Sequence, residues 1–113
     1  MNPIQYRIEI EQDHIPVRGK AIASGDDATD KKIEDEIIER LDNGDTWAWC
    51  SVCVVAEAGG VEGRAYLGAC SYKDEADFRA GGYYEQMQEE AKEDLIEQLR
   101  RAKKTLEEIE AEA

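Results

Sequence analysis

The sequence predicts an α+β domain of order ββαββα: a four-stranded, mainly antiparallel sheet with helices on one face and a long C-terminal helix. Three features predict it. They are period-two alternation near the N-terminus, two β-rich runs on either side of a Gly-Gly pair, and a long amphipathic stretch from Tyr83 onward. At 113 residues the chain has the length of one domain, 1–113, with enough apolar material for a core without disulfides or metal.

Ile4, Tyr6, Ile8 and Ile10 alternate with Gln5, Arg7, Glu9 and Glu11, the pattern of a strand with one buried and one wet face. A turn at Asp13 and His14 leads to a weaker second strand over 17–23, whose start Pro16 restricts to an edge or turn. Ser24-Gly25-Asp26-Asp27 then breaks the pattern, and Asp27, with Asp30 three residues on, is placed to cap a helix. Ile33, Ile37, Ile38 and Leu41 form that helix's apolar face, and Asn43-Gly44 ends it. Residues 46–57 and 63–72 form a hairpin about Gly59-Gly60. A two-residue turn makes paired residue numbers sum to 119, so Val54 faces Ala65, Val52 faces Leu67 and Cys50 faces Ala69 on the core side. The opposite face then holds Trp47, Trp49, Ser51 and Cys53 beside Arg64, Tyr66, Cys70 and Tyr72. After a turn or single helical turn at 71–78 and a break at Gly81-Gly82, Met87, Ala91, Leu95, Leu99, Ala102, Leu106 and Ile109 mark the final helix, which runs to about residue 110. At about 1.5 Å per residue it outruns a ten-residue strand, so 93–113 is expected to protrude. From Leu95 onward the 4, 3, 4, 3 spacing is a heptad seam, and Leu95, Leu99, Ala102, Leu106 and Ile109 are its dimer positions.

Charge excludes several classes of function. The 27 acids against 14 lysines and arginines give a net charge of -13, with no basic cluster longer than Arg100-Arg101 or Lys103-Lys104. Direct nucleic-acid binding and an anionic membrane surface are both disfavoured, which leaves proteins with basic surfaces as partners. No apolar run has the length of a membrane span, and residues 1–10 do not form a signal-peptide core, so the expected location is the cytoplasm. The three cysteines read as reduced thiols.

No constellation points to catalysis, a metal or a cofactor. Cys50-x-x-Cys53 has zinc-like spacing, but residues three apart on a strand point to opposite faces, and Cys70 and the single histidine, His14, do not complete a ligand set. Asp26, Asp27 and Asp30, and Asp42 with Asp45, lack calcium-loop spacing; capping explains them. Gly59-Gly60 with Gly63 lies between strands and is no phosphate cradle.

Two surfaces remain. Residues 26–45 carry nine acids against three bases and residues 83–113 carry ten against five; such faces are either merely solvated or imitate phosphate rows in a basic groove. Trp47, Trp49, Tyr66 and Tyr72 supply aromatic area of the kind that anchors interfaces, unless a segment of the same chain covers them.

The Trp-Ala-Trp strand, Tyr66-Leu67-Gly68, the run from Cys70 to Phe78 and the Gly-Gly-Tyr-Tyr helix start resemble a group of short uncharacterised proteins encoded by phages and other bacterial mobile elements. The resemblance implies a setting, inhibition of host defence by small acidic proteins, and no catalytic residues. The resulting expectation is a non-enzymatic, homodimeric acidic protein in the host-cell cytoplasm that blocks a nucleic-acid-handling defence protein of restriction or CRISPR type. Glu34, Asp35, Glu39, Glu89, Glu90 and Glu93 would supply charge, and Trp47, Trp49, Tyr66 and Tyr72 hydrophobic anchorage. The alternative is a dimeric structural or assembly accessory with no defence target.

Overall fold

A computed structural model of the chain describes residues 3–22 and 24–112. Strand β1 (Gln5–Gln12) is followed by helix α1 (Asp27–Asp42), a 3-10 turn (Thr46–Ala48), strands β2 (Cys50–Ala58) and β3 (Val61–Cys70), a short helix α2 (Glu75–Ala80) and helix α3 (Tyr83–Glu112). The chain is α+β, but its sheet has three antiparallel strands in the order β1-β2-β3. This corrects the four-stranded ββαββα expectation.

The second strand expected over 17–23 does not form. Residues 17–21 are turn and bend, and Ala23 lies outside the described residues. Lys20 and Ala21 both donate their N–H to the Val17 carbonyl, at 3.2 and 3.1 Å, so the backbone closes on itself instead of joining the ladder. Val17 is buried with Ile37, Ala48 and Trp49, with Ile33, Ile38 and Leu41 packed against them. The apolar face of α1 therefore covers the 3-10 turn and Trp49, and makes its own small core beside the sheet. Asp26, not Asp27, caps α1: its Oδ1 accepts the N–H groups of Ala28 and Thr29 at 3.1 and 3.4 Å. Asp30 instead accepts from the Ser24 hydroxyl at 2.6 Å.

The hairpin turns as the glycines demand. Gly59 and Gly60 have φ of 60° and 76°, the two positive values of a two-residue turn whose twist matches the strands. Val54 pairs with Ala65 and Val52 with Leu67, but Cys50 pairs with Cys70 rather than Ala69. The extra residue on β3 is a bulge, and Ala69 takes the uncommon φ of 51° there.

The main core lies on one sheet face. Cys50, Val52, Val54, Ala56 and Ala65 meet Met87, Ala91 and Leu95 of α3 and Phe78 of α2, with Tyr6, Ile8 and Ile10 of β1 around them. Buried α3 residues fall four apart, so one stripe of the helix faces the sheet. The approach is backbone to backbone: a Cβ on Gly63 would lie 2.2 Å from the Ala91 carbonyl oxygen and 2.2 Å from the Leu95 nitrogen. Beyond Leu95 the helix is exposed or half-buried and leaves the body, giving a molecule of 68 × 29 × 25 Å. Its radius of gyration, 18.9 Å, exceeds the roughly 13 Å of a compact chain this long.

Gly63→Ala should lower unfolding stability by about 3 kcal/mol, because two backbones must separate to admit the methyl group. Gly81→Ala, at φ -78° and with ordinary contacts around the added carbon, should stay within about 0.5 kcal/mol. Urea denaturation of both variants checks the contrast.

Candidate protein-interaction surface

The sheet face away from α3 is charged, and most of its charges are paired with one another. Its cross-strand rows place Arg7 and Arg64 on either side of Val55. Arg7 bonds Glu9, Glu57 and Glu62 at 3.0, 2.9 and 2.7 Å, and Arg64 bonds Glu9 and Glu62 at 2.9 and 2.7 Å. Val55 has 0% exposure although no helix covers it; the two arginine stems flanking it on the neighbouring strands account for that cover. Arg64 and then Arg7 hold Glu9 below the usual carboxylate range, and Arg7 and then Arg64 do the same for Glu62. Here lies a shallow cavity of about 230 Å³, whose lining includes Glu9, Ser51, Cys53, Arg64 and Tyr66. Of its charged groups Glu9 and Arg64 are bonded to one another, and Glu11 also lines it.

The expected aromatic face does not assemble. The 3-10 turn and the bulge rotate residues before Cys50 and after Ala69 out of the extended register. Trp47 and Tyr72 consequently swing to the core side, where Phe78 stacks within 5.9 Å of Trp47 and 5.2 Å of Tyr72. Trp49 is 3% exposed and donates its indole N–H to the Ile15 carbonyl at 2.7 Å. Of the four, only Tyr66 stands on the open face, at 69% exposure. The run 71–78 covers the aromatics within one chain, and Arg40 fastens it by donating to the Tyr72 carbonyl at 2.6 Å.

The bulge has its own clamp, which sequence inspection assigned merely to a turn. Asp13 accepts the N–H of Ala69 at 2.6 Å, the hydroxyl of Ser51 at 2.9 Å and the N–H of Ile15 at 2.8 Å. The Ile15 and Ala69 amides hold its carboxyl below the usual range. Beside it the Cys50 and Cys70 sulfurs lie 3.8 Å apart, and their interaction pushes Cys50 above the ordinary thiol range and Cys70 below it. Cys50 and Cys53 sit on opposite faces of β2, in the core and on the open face respectively. Among the described residues no group of three or more His, Cys, Asp and Glu could hold a metal ion.

The acidic residues divide. On α1, Glu34 is 7% exposed, accepts the Gly19 N–H and pairs with Arg18 at 3.6 Å, and Asp35 also pairs with Arg18. The two share that one cation; Glu39 is exposed. On α3, Glu85, Glu89, Glu90 and Glu93 are exposed, and among the described residues none of them forms an ion pair. Glu85, Glu89 and Glu93 repeat every four residues, two positions before each of Met87, Ala91 and Leu95. At 100° per residue they lie across the helix from that stripe, and on the flank nearest β1 Glu85 and Glu89 line an open cavity of about 470 Å³ with Tyr6, Gln88 and Lys92. Tyr83, 55% exposed, shares a flank of the helix with Gln86 and Glu90, three and seven residues on. Tyr83 is the aromatic that the sequence expectation overlooked; its place after Gly81-Gly82 at a helix start was the available signal. In the seam, Leu95 is fully buried in the chain's own core and is not a dimer position, whereas Leu99, Ala102, Leu106 and Ile109 are exposed.

No protein-family model, curated protein or solved structure matches this chain. No helix among the described residues is long and apolar enough to cross a membrane.

Asp13→Ala should cost about 2 kcal/mol, since it leaves the Ala69 and Ile15 amides without their acceptor. The depressed carboxyls of Asp13, Glu9 and Glu62 contribute stability that is fully present above the ordinary carboxyl pKa and is lost as pH falls through their lower folded values. Stability should therefore drop below about pH 4, and Asp13→Ala should flatten that limb when denaturation midpoints are measured across pH.

Proposed function

We propose that this chain is a non-catalytic acidic binding protein that sets the outer face of α3 against a basic, nucleic-acid-handling surface of another protein. The observation that carries this is the row Glu85, Glu89, Glu93 with Glu90 beside it, exposed and free of ion pairs. Like charges four apart on a helix each cost about 0.2–0.5 kcal/mol, a cost the row carries although Lys92 lies beside Glu85 and Glu89. Glu85, Glu89 and Glu93 set carboxylates about 6 Å apart along one line, a charge spacing of the kind a basic groove meets in a nucleic-acid backbone. Tyr83 supplies the apolar contact at one end. The Trp47 and Trp49 anchors are replaced by Tyr83, and Glu34 and Asp35 drop out because Arg18 already occupies them.

The resemblance to short phage and mobile-element proteins supports a host defence enzyme of restriction or CRISPR type as the partner, met in the host-cell cytoplasm. Electrostatic steering would speed the encounter and make it salt-sensitive.

Immobilised full-length chain exposed to bacterial lysate tests the proposal. It should retain a nucleic-acid-binding protein that duplex DNA displaces and whose affinity falls roughly ten-fold or more between 50 and 300 mM salt. Glu85→Lys/Glu89→Lys/Glu93→Lys should abolish retention with the helical circular dichroism intact. Retention indifferent to salt and to the triple reversal would sink the idea.

A further inference from the structure

The two sulfurs beside the Asp13 clamp are brought together by an irregularity in the hairpin, not by its period. In the uninterrupted register Cys50 would face Ala69, and Cys70 would point to the other side of the sheet. The extra residue in β3 reverses this. Cys70 becomes the cross-strand partner of Cys50, and the sulfurs come to 3.8 Å. The irregularity is held on both sides. Ala69 takes φ of 51°, a left-handed value disfavoured for a residue with a Cβ, and Asp13 accepts its N–H at 2.6 Å. Just past the pair, Tyr72 donates its N–H to the Trp47 carbonyl at 2.9 Å.

Directly paired residues on antiparallel strands have Cα atoms about 4.5–5.5 Å apart, inside the range of about 4.4–6.8 Å over which a disulfide closes without backbone movement. Side-chain rotation therefore suffices to bring these sulfurs to a bond of about 2.05 Å. The two thiols differ in access. Cys50 is fully buried beside Val52 and Phe78 in the main core, whereas Cys70 is half-buried at the end of β3. Cys53 lies on the other side of β2, lining the cavity of the open face, and the sheet separates it from both.

We propose that Cys50 and Cys70 form a reversible dithiol–disulfide site, closed by a peroxide and reopened by a small thiol. The Cys70 thiolate attacks one oxygen of hydrogen peroxide and breaks the O–O bond; hydroxide leaves and the sulfur becomes a sulfenic acid. The Cys50 thiolate then attacks the Cys70 sulfur, forming the S–S bond and expelling a second hydroxide. The two thiol protons convert both hydroxides to water, so the thiols give up two electrons and one peroxide takes them. A small dithiol reverses the step by exchange and leaves as its own cyclic disulfide. The bond ties the first residue of β2 to the last of β3 and secures the sheet end against which Trp47, Tyr72 and Phe78 pack. It does not involve the acidic row of α3 and stands whether or not that row has a partner.

Dilute hydrogen peroxide added to the full-length chain tests this, read by intact mass, thiol titration in denaturant and non-reducing peptide mapping. The native chain should become two hydrogens lighter, its three thiols should fall to one, that of Cys53, and dithiothreitol should restore all three. The oxidised chain should melt about 5 °C or more above the reduced one, because the bond restricts the unfolded chain more than the folded one. Cys70→Ser should keep both of its remaining thiols under the same treatment. In urea the selectivity should vanish, and bridges through Cys53 should appear. Three thiols that persist in the native chain, a bridge through Cys53 in either native protein, a bridge between two chains, an oxidised chain that melts no higher, or the same selectivity in urea would each overturn the proposal.

Discussion

A missing side chain at Gly63 sets the geometry of the molecule. With no Cβ there, the backbone of α3 settles on the backbone of β3, and Ala91 and the main chain of Leu95 fill the space that any other residue would claim. Asp94 then accepts the Arg64 N–H at 2.9 Å, so the helix also satisfies a donor of an edge strand that would otherwise stay unpaired. Because the seat fixes which residues of α3 face the sheet, it fixes which face away. The carboxylate row is 200° from the buried stripe by helical arithmetic, and the exposed seam beyond Leu95 is the buried stripe continued past the end of its cover. One close contact thus positions both faces of the helix.

Charge follows a similar division. The open sheet face carries four glutamates, of which Arg7 and Arg64 bind Glu9, Glu57 and Glu62 into a net that also covers Val55. Exposed networks of this kind contribute little to stability individually; their effect here is to shield an apolar sheet position that has no helix above it. From Gln98 onward α3 balances four cations against four anions. The net charge of -13 therefore resides on the body, the exposed side of α1 and the first turns of α3.

Sequence pattern was legible wherever a regular period and a local turn coincided. The alternation in β1, the Gly59-Gly60 turn, the 119 register from Ala58 to Val52 and the apolar stripe of α3 all follow from backbone periodicity, and all appear. What failed did so at departures from period. An extra residue at Ala69 shifts the pairing at Cys50, and the 3-10 turn at 46–48 breaks the strand early; together they turn Trp47 and Tyr72 inward and leave Trp49 to a separate core. The weak strand at 17–23 failed because the carbonyl of Val17 takes both nearby amides and Trp49 needs the carbonyl of Ile15. Trp49 and Ile15 are 34 residues apart in sequence. The Arg18 pairs with Glu34 and Asp35 were equally invisible, since composition counts charges without showing which meet.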